Sequence, residues 1–416
     1  MSITVVDSIM GSGKSTWIIN YMNDHPEKRY IYVTPYLEEC SRVADACSRL
    51  HFWQPKEPNK QISFLEGIKN KRNISTTHSL FQQLKLSPEL IVEIKEMHYT
   101  VILDEVVETV QPFPGLRKTD YLLLLSSEWI SVSDNGAVSL TERGESVSET
   151  KFQEALNFIR AGSVFLYKEM LLLWVLPPET LKLSDDIYIM TYMFEGSHLM
   201  HTLKMYGYSY QISHIEQNPY RLIPGPDVNA AERKKELDQM IHILEDEKWN
   251  SIGESVYQKK HREYVFSSGW WDKASPANKE NVAKKIRNYF SYKAVGYRLD
   301  AHSCMWSIIG QTENTERKNR RILVKDYDSC CVAFNKRATN KYADVTALAA
   351  FFNVYEHPIV KEWFESNNEI IDNDKYALAI LLQWIWRSAI RNNQEIHLYL
   401  PSERMRNLLI GWLRSD

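Results

Sequence analysis

The chain has 416 residues, and at about 150 residues per domain that length predicts two or three domains. Hydrophobic residues make up 44% and charged residues 25%, near globular averages, which excludes a disordered or fibrous chain over most of the length. Lys plus Arg is 50 against 53 for Asp plus Glu, a net charge of −3, so a nucleic-acid surface has to be a local patch and not a global basic field. The cysteines, Cys40, Cys47, Cys304, Cys330 and Cys331, form no CxxC pair, and their odd number argues against a disulfide framework and for a reducing compartment. No apolar run approaches a membrane span, and the first residues lack a signal-peptide pattern. The expectation is a cytoplasmic protein with no membrane partner.

In chain order, Ile3–Val6 is a β-branched strand. It runs into a small-residue loop from Ser8 through Met10, Gly11, Ser12, Gly13, Lys14, Ser15 and Thr16, and Trp17–Met22 then reads as helix. Strand, glycine loop, helix is the order a triphosphate needs. Small residues let backbone N–H groups approach phosphate oxygens, the helix N-terminus adds its positive end, Lys14 reaches the β and γ phosphates, and the Ser15 hydroxyl holds Mg²⁺. Ser8 stands where the strict pattern has Gly or Ala. The competing reading, a plain Gly/Ser turn before a surface helix, leaves the flanking apolar strand unexplained.

A second strand, Arg29–Val33, ends in Thr34-Pro35, and Tyr99–Leu103 ends in the acidic pair Asp104-Glu105. In a phosphate-loop hydrolase an Asp at such a strand end anchors Mg²⁺ and the adjacent Glu polarises the attacking water. Further along, Trp129–Ser133 and Ala137–Thr141 flank Asp134-Asn135-Gly136 as a hairpin, either a strand-separating pin or a decoration. Ile187–Met193 is another strand. The stretch Ala230–Glu247 reads as helix, Glu263–Ser268 as a strand, Asn278–Phe290 as helix, Met305–Gly310 as a strand, Cys331–Phe334 as a strand opening a polar loop, and Leu382–Arg391 as helix. Alternating strands and helices in both halves predict an α/β fold. From Lys279 to Arg298, cations alternate with tyrosines, a pattern shared by single-strand binders and ordinary solvated faces. Trp270 and Trp271 are either stacking platforms or core residues.

These motifs together resemble the superfamily 2 helicase-type ATPases of the DEAD/DEAH-like group, most closely compact bacteriophage helicases. Thr34-Pro35 looks like motif Ia, the segment around Thr77-His78 like the next strand-end motif, Asp104-Glu105-Val106-Val107 like motif II, and the strand ending at Thr191 like the coupling motif III. Arg337, Thr339 and Asn340 stand where motif V would be. Gln383, Arg387 and Arg391 resemble motif VI, at a spacing that puts them along one helical stripe, with Arg391 favoured as the arginine finger and Arg387 as sensor.

The resemblance implies two tandem RecA-like domains with parallel sheets. Residues 1–200 would form the ATP-binding domain, with a hairpin-containing insertion at about 111–165, and residues 201–416 the second. It further implies ATP and Mg²⁺ as cofactors, Glu105, Gln383, Arg387 and Arg391 as catalytic residues, and Thr34, Pro35, Thr77, His78, Arg337, Thr339 and Asn340 as nucleic-acid contacts. The function implied is an ATP-dependent helicase or translocase on single-stranded nucleic acid, DNA favoured over RNA. It would act in phage replication or recombination, in the host cytoplasm, with replication proteins as partners. Two other readings remain: a nucleotide-binding interaction protein, and a packaging-type ATPase without unwinding. A thymidine-kinase-like reading would need zinc-binding cysteines at CxxC spacing, which the sequence lacks.

Overall fold

A computed structural model describes residues 2–84, 88–113, 115–147, 149–168, 171–252, 262–311, 320–335 and 340–415. The chain forms two compact units, one of Met1–Ser8, Ser12–Asp227 and His357–Ile371, the other of Ile9–Gly11, Val228–Glu356 and Asp372–Asp416.

The first unit is built on β1 (Ser2–Asp7), β2 (Arg29–Thr34), β3 (Ile74–Thr77), β4 (Tyr99–Asp104), β5 (Val110–Pro112), β6 (Ile130–Val132), β7 (Val138–Leu140), β8 (Val164–Tyr167), β9 (Leu171–Val175), β10 (Asp186–Thr191), β11 (Gln211–Glu216) and β12 (Arg221–Pro224). Its main sheet has seven strands in the order β12-β11-β1-β10-β4-β2-β3, all parallel except β12, which pairs antiparallel with β11. The strands are near-continuous apolar runs because both faces are covered. Ile3, Val5, Ile31, Val33, Val101 and Leu103 enter one core, while Val6, Tyr30, Tyr32 and Ile102 enter the other with Trp17 and Ile18 of the helix Lys14–Asp24. The period-2 alternation of each strand thus divides its side chains between two cores.

Between β4 and β10 lie a three-stranded sheet, β5-β9-β8, and the hairpin β6-β7. Gly136, at φ 82°, turns the hairpin, and the Leu166 N–H donates to its carbonyl at 2.7 Å. The tip is therefore stitched to β8, which favours a decoration over a projecting pin. The helix Pro358–Ser366 packs in this unit as well, held by a Lys168–Glu362 ion pair at 2.5 Å, while the adjoining segment contributes a His201–Glu369 contact at 2.8 Å.

The second unit carries β13 (Ile241–Ile243), β14 (Cys304–Ile308), β15 (Ala347–Phe351) and β16 (Ile396–Tyr399), a wholly parallel sheet in the order β13-β16-β15-β14. Small residues let β15, Ala-Leu-Ala-Ala-Phe, be buried along its whole length. The architecture is thus the expected α/β fold with a mostly parallel sheet in each unit and a hairpin inserted in the first, but the expected division at residue 200 does not hold, because β11 and β12 extend the first sheet and His357–Ile371 returns to the first unit.

Four local expectations fail for identifiable reasons. Glu263–Ser268 is no strand: Phe266 takes a left-handed φ of 65°, and the Ser267 side chain accepts from the Trp270 N–H at 3.3 Å to cap the helix Ser268–Lys273. Cys331–Phe334 makes only a bridge from Cys331 to Trp306 before turning. The helix expected through Glu247 stops at Met240, and Ile241–Ile243 becomes β13. The helix expected over Leu382–Arg391 ends at Ile385, where the Ser388 hydroxyl takes the Ile385 carbonyl at 2.7 Å, a local bond that competes with helix continuation. Gln383, Arg387 and Arg391 therefore do not share one helical stripe.

Candidate active site

The parallel register brings the strand ends of the first unit to one edge of the sheet. Asp7 of β1 pairs with Thr191 of β10, Met190 with Asp104 of β4, and Thr34 of β2 with Thr77 of β3. In an open α/β sheet this carboxyl edge is where ligands bind. The loop after β1 sits at its centre, and two of its residues are glycine for a steric reason. Gly11 and Gly13 have φ of 83° and 86°, the left-handed region that side chains disfavour.

Ser8, the departure from the strict loop pattern, has a structural task. Its backbone N–H donates to the Thr191 carbonyl at 3.2 Å, its carbonyl accepts from Lys14 Nζ at 2.5 Å, and its buried Oγ accepts from the Ile215 N–H at 2.8 Å. One serine ties the loop to both neighbouring strands. Ser8→Ala leaves the buried Ile215 donor without this acceptor, at a cost of about 1–3 kcal/mol. A thermal melt should record a lower midpoint for the variant, and an unchanged midpoint would refute this anchoring.

Lys14 is enclosed by acids. Burial pushes its ammonium down to about 8, opposed by the charges of Asp7, Asp104, Asp227 and Glu105. Burial likewise raises the Asp104 carboxyl, against the Tyr32 hydroxyl, which donates to Asp104 Oδ2 at 2.8 Å, and the charges of Arg42 and Lys14. Asp7 is also raised by burial, against the Phe194 N–H that donates to its Oδ2 at 3.0 Å. Glu105 turns the chain sharply after β4 at a left-handed φ of 68°, its N–H donating to the Met190 carbonyl at 3.0 Å.

The residues present fit a Mg²⁺-triphosphate. Ser12 Oγ, in the loop, is buried with no hydrogen-bond partner among the described residues, as is Asp7 Oδ1. Among the described residues no group of three or more His, Cys, Asp and Glu could hold a metal. A cation here would take the Ser15 hydroxyl, the Asp104 carboxylate and phosphate oxygens, a hard donor set suited to Mg²⁺.

The structure thus gathers Lys14, Ser15, Asp104, Glu105 and Thr191 at one edge, where Thr34 and Thr77 also end their strands, and gives several other expected residues buried or capping posts. Thr34 is 0% exposed, and its Oγ1 meets no hydrogen-bond partner among the described residues. The Thr77 side chain caps the helix His78–Gln82, accepting from the Leu80 N–H at 3.3 Å. His78 is buried, its Nε2 lying 3.1 Å from the Asp104 carbonyl, so it supports the acidic turn. Pro35 is half-buried. Arg337 and Thr339 lie outside the described residues, and Asn340 opens the 3-10 turn Asn340–Tyr342. Arg387 is 2% exposed and donates to the Ala333 carbonyl at 3.1 Å. Gln383 and Arg391 are partly exposed.

Tyr32 and Asp7 escaped the sequence reading. An acid directly between a strand and a glycine loop was the available signal for Asp7, whereas nothing local singles out Tyr32.

The cations of Lys279–Arg298 are largely matched by acids: Lys284 by Glu280 at 2.8 Å, Arg287 and Arg298 by Asp326 at 2.9 and 3.3 Å, and Lys293 by Asp246 at 3.0 Å. That is a solvated face more than a phosphate track. Trp270 and Trp271 are buried, so they are core residues and not platforms. Among the described residues, no helix is long and apolar enough to cross a membrane.

Comparison with known proteins places this geometry. Residues 235–413 match the model of the YonV C-terminal Rossmann-like domain. Among solved structures, the chain is similar to an XPD helicase at 11% identity and a TM-score of 0.47, covering 100% of this chain and 95% of that one. It is similar to S. tokodaii Xpd4 at 10% identity and a TM-score of 0.47, covering 100% of this chain and 94% of that one. Neither likeness is close enough to carry a functional argument. The SPbeta prophage-derived protein YonV of Bacillus subtilis (strain 168) is 30% identical over 432 residues, spanning 100% of this chain and 99% of the relative. At that identity over the full length of both proteins, the chain belongs to the YonV family.

Proposed function

We propose that the protein is an ATPase driven by single-stranded nucleic acid, DNA favoured over RNA, that acts as a helicase or translocase in phage replication or recombination. The observation that carries the reading is the placement of Lys14, the buried loop hydroxyl of Ser12, Asp104 and Glu105 at one carboxyl edge. Lys14 would neutralise the terminal phosphates, and the Gly11–Thr16 backbone would cradle them. Mg²⁺, bound by Ser15 and Asp104, would supply charge neutralisation on the phosphate oxygens. Glu105 would accept the proton of the attacking water. Thr191, whose carbonyl holds the Ser8 N–H, would couple the loop to β10. The buried Arg387 has a post in its own unit, holding the Ala333 carbonyl, which leaves it unsuited to the sensor role expected of it.

The test is steady-state ATP hydrolysis with and without single-stranded DNA, single-stranded RNA and duplex DNA. Stimulation of about tenfold or more by a single strand is expected, since substrate-driven ordering of a catalytic site commonly sets turnover. Turnover indifferent to every polymer sinks the motor and leaves a nucleotide-gated interaction protein. Stimulation by RNA alone reverses the choice of polymer.

A further inference from the structure

The turn between β11 and β12 lies beside the phosphate loop. β11 runs parallel to β1, with Val5 opposite Ile212 and Val6 opposite Ser213, so its C-terminal end emerges at the same edge as the loop. The chain then reverses through Gln217–Tyr220 into the antiparallel β12. Two bonds fix this hairpin: the Ile215 N–H to Ser8 Oγ at 2.8 Å, and the Gly225 N–H to the Ile212 carbonyl at 2.9 Å. At the turn, the Tyr220 ring presses on Gly13. A Cβ added to Gly13 would lie 2.2 Å from Tyr220 Cε1 and 3.0 Å from Cζ, so the ring sits directly over Gly13, whose φ already calls for glycine. Tyr220 is nevertheless 40% exposed.

In the nucleotide reading the phosphates would lie over the loop after β1, and Asp104 and Glu105, which would serve the terminal phosphate, follow β4 on the β10 side. A base extending away from those acids would pass toward the opposite neighbour, β11. Its turn presents there an aromatic ring backed by glycine, with exposed surface remaining.

We propose that Tyr220 is the base platform of the nucleotide site, stacking on the purine of a nucleoside triphosphate while the phosphates occupy the Gly11–Thr16 loop. The proposal rests on the nucleotide reading above and adds the element that tells a nucleotide from a bare polyphosphate. Stacking uses the π-face common to all bases, so ATP and GTP depend on the ring alike.

The experiment measures binding of Mg²⁺-ATP, Mg²⁺-GTP and Mg²⁺-tripolyphosphate to full-length wild type, Tyr220→Ala and Tyr220→Phe by titration calorimetry. Tyr220→Ala should weaken ATP and GTP by about tenfold, the scale of one base–aromatic stack, and leave tripolyphosphate within about twofold by the same argument. Tyr220→Phe should restore most of the lost affinity. Equal weakening of tripolyphosphate would mean that Tyr220 only shapes the loop, and unchanged ATP affinity in Tyr220→Ala would mean that the base lies elsewhere; either overturns the proposal. Wild type that binds no triphosphate at all overturns the nucleotide reading itself, and wild type that binds tripolyphosphate as tightly as ATP overturns the platform alone. Tripolyphosphate binding by the variants also reports that the loop is folded.

Discussion

Glu105→Gln should turn ATP over about a hundred- to ten-thousandfold more slowly than wild type, the range spanned by the loss of a positioned general base. The amide keeps the size of the side chain but cannot take a proton from water. The backbone that carries it is held from outside the side chain, through the Glu105 N–H bond to the Met190 carbonyl and the left-handed turn at φ 68°, so the substitution leaves the acidic turn in place. The fall should therefore appear in kcat, with ATP affinity close to that of wild type. Affinity lost in parallel with kcat would mean that the carboxylate acts on binding, and a kcat within threefold would remove Glu105 from the proton transfer. Asp104→Asn offers the contrast. Asp104 is buried and bonded by Tyr32, and in this reading it holds Mg²⁺, so that change should weaken Mg²⁺-nucleotide binding as well as turnover.

The legible parts of this protein are those written locally. The strand, small-residue loop and helix around Lys14, and the strand that closes on Asp104, lie within a few residues of one another, so apolar runs and punctuation reveal them. The two-sided burial of β1, β2 and β4 is legible from their largely apolar, β-branched and aromatic character. What the sequence hides is long-range or depends on a single backbone bond. Tyr32 meets Asp104 across 72 positions, and Tyr220 reaches Gly13 through a turn whose neighbours give no hint of the loop. The end of the helix at Ile385 depends on one Ser388 hydroxyl, and this separates Arg387 and Arg391 from the helix that carries Gln383. The strand β13 hides because Ile241-His242-Ile243 continues a helical pattern and is drawn into the sheet only by its partner β16. Thr34 and His78 read as surface contacts because their motif context is polar, whereas both are buried.

Lys14→Met should reduce affinity for Mg²⁺-ATP about a hundredfold or more, since charge-assisted contacts to two phosphates are lost at roughly 1.5–3 kcal/mol each. The more telling observation is the pH dependence in wild type. Burial lowers the Lys14 ammonium from its ordinary 10.5 to about 8, and a bound polyanion raises it again, so binding above pH 8 takes up a proton. Affinity should be highest below pH 8 and fall by up to about tenfold per pH unit above it. Folding stability moves the other way: a group with a depressed folded-state pKa contributes fully above 10.5 and loses that contribution as pH falls to about 8. Over this window Lys14 should make the protein more stable toward unfolding while it binds nucleotide less well. Calorimetric titration in two buffers of different ionisation enthalpy reads the proton uptake directly, and Lys14→Met should abolish the uptake together with its share of the pH dependence. Proton uptake that persists in Lys14→Met would assign it to another group, with the raised carboxyls of Asp7 and Asp104 next in line. Those acids would also take up protons, because a nearby polyanion favours their protonated forms as it favours the ammonium, but they would do so at lower pH. The pH at which uptake is largest therefore separates the ammonium from the carboxylates.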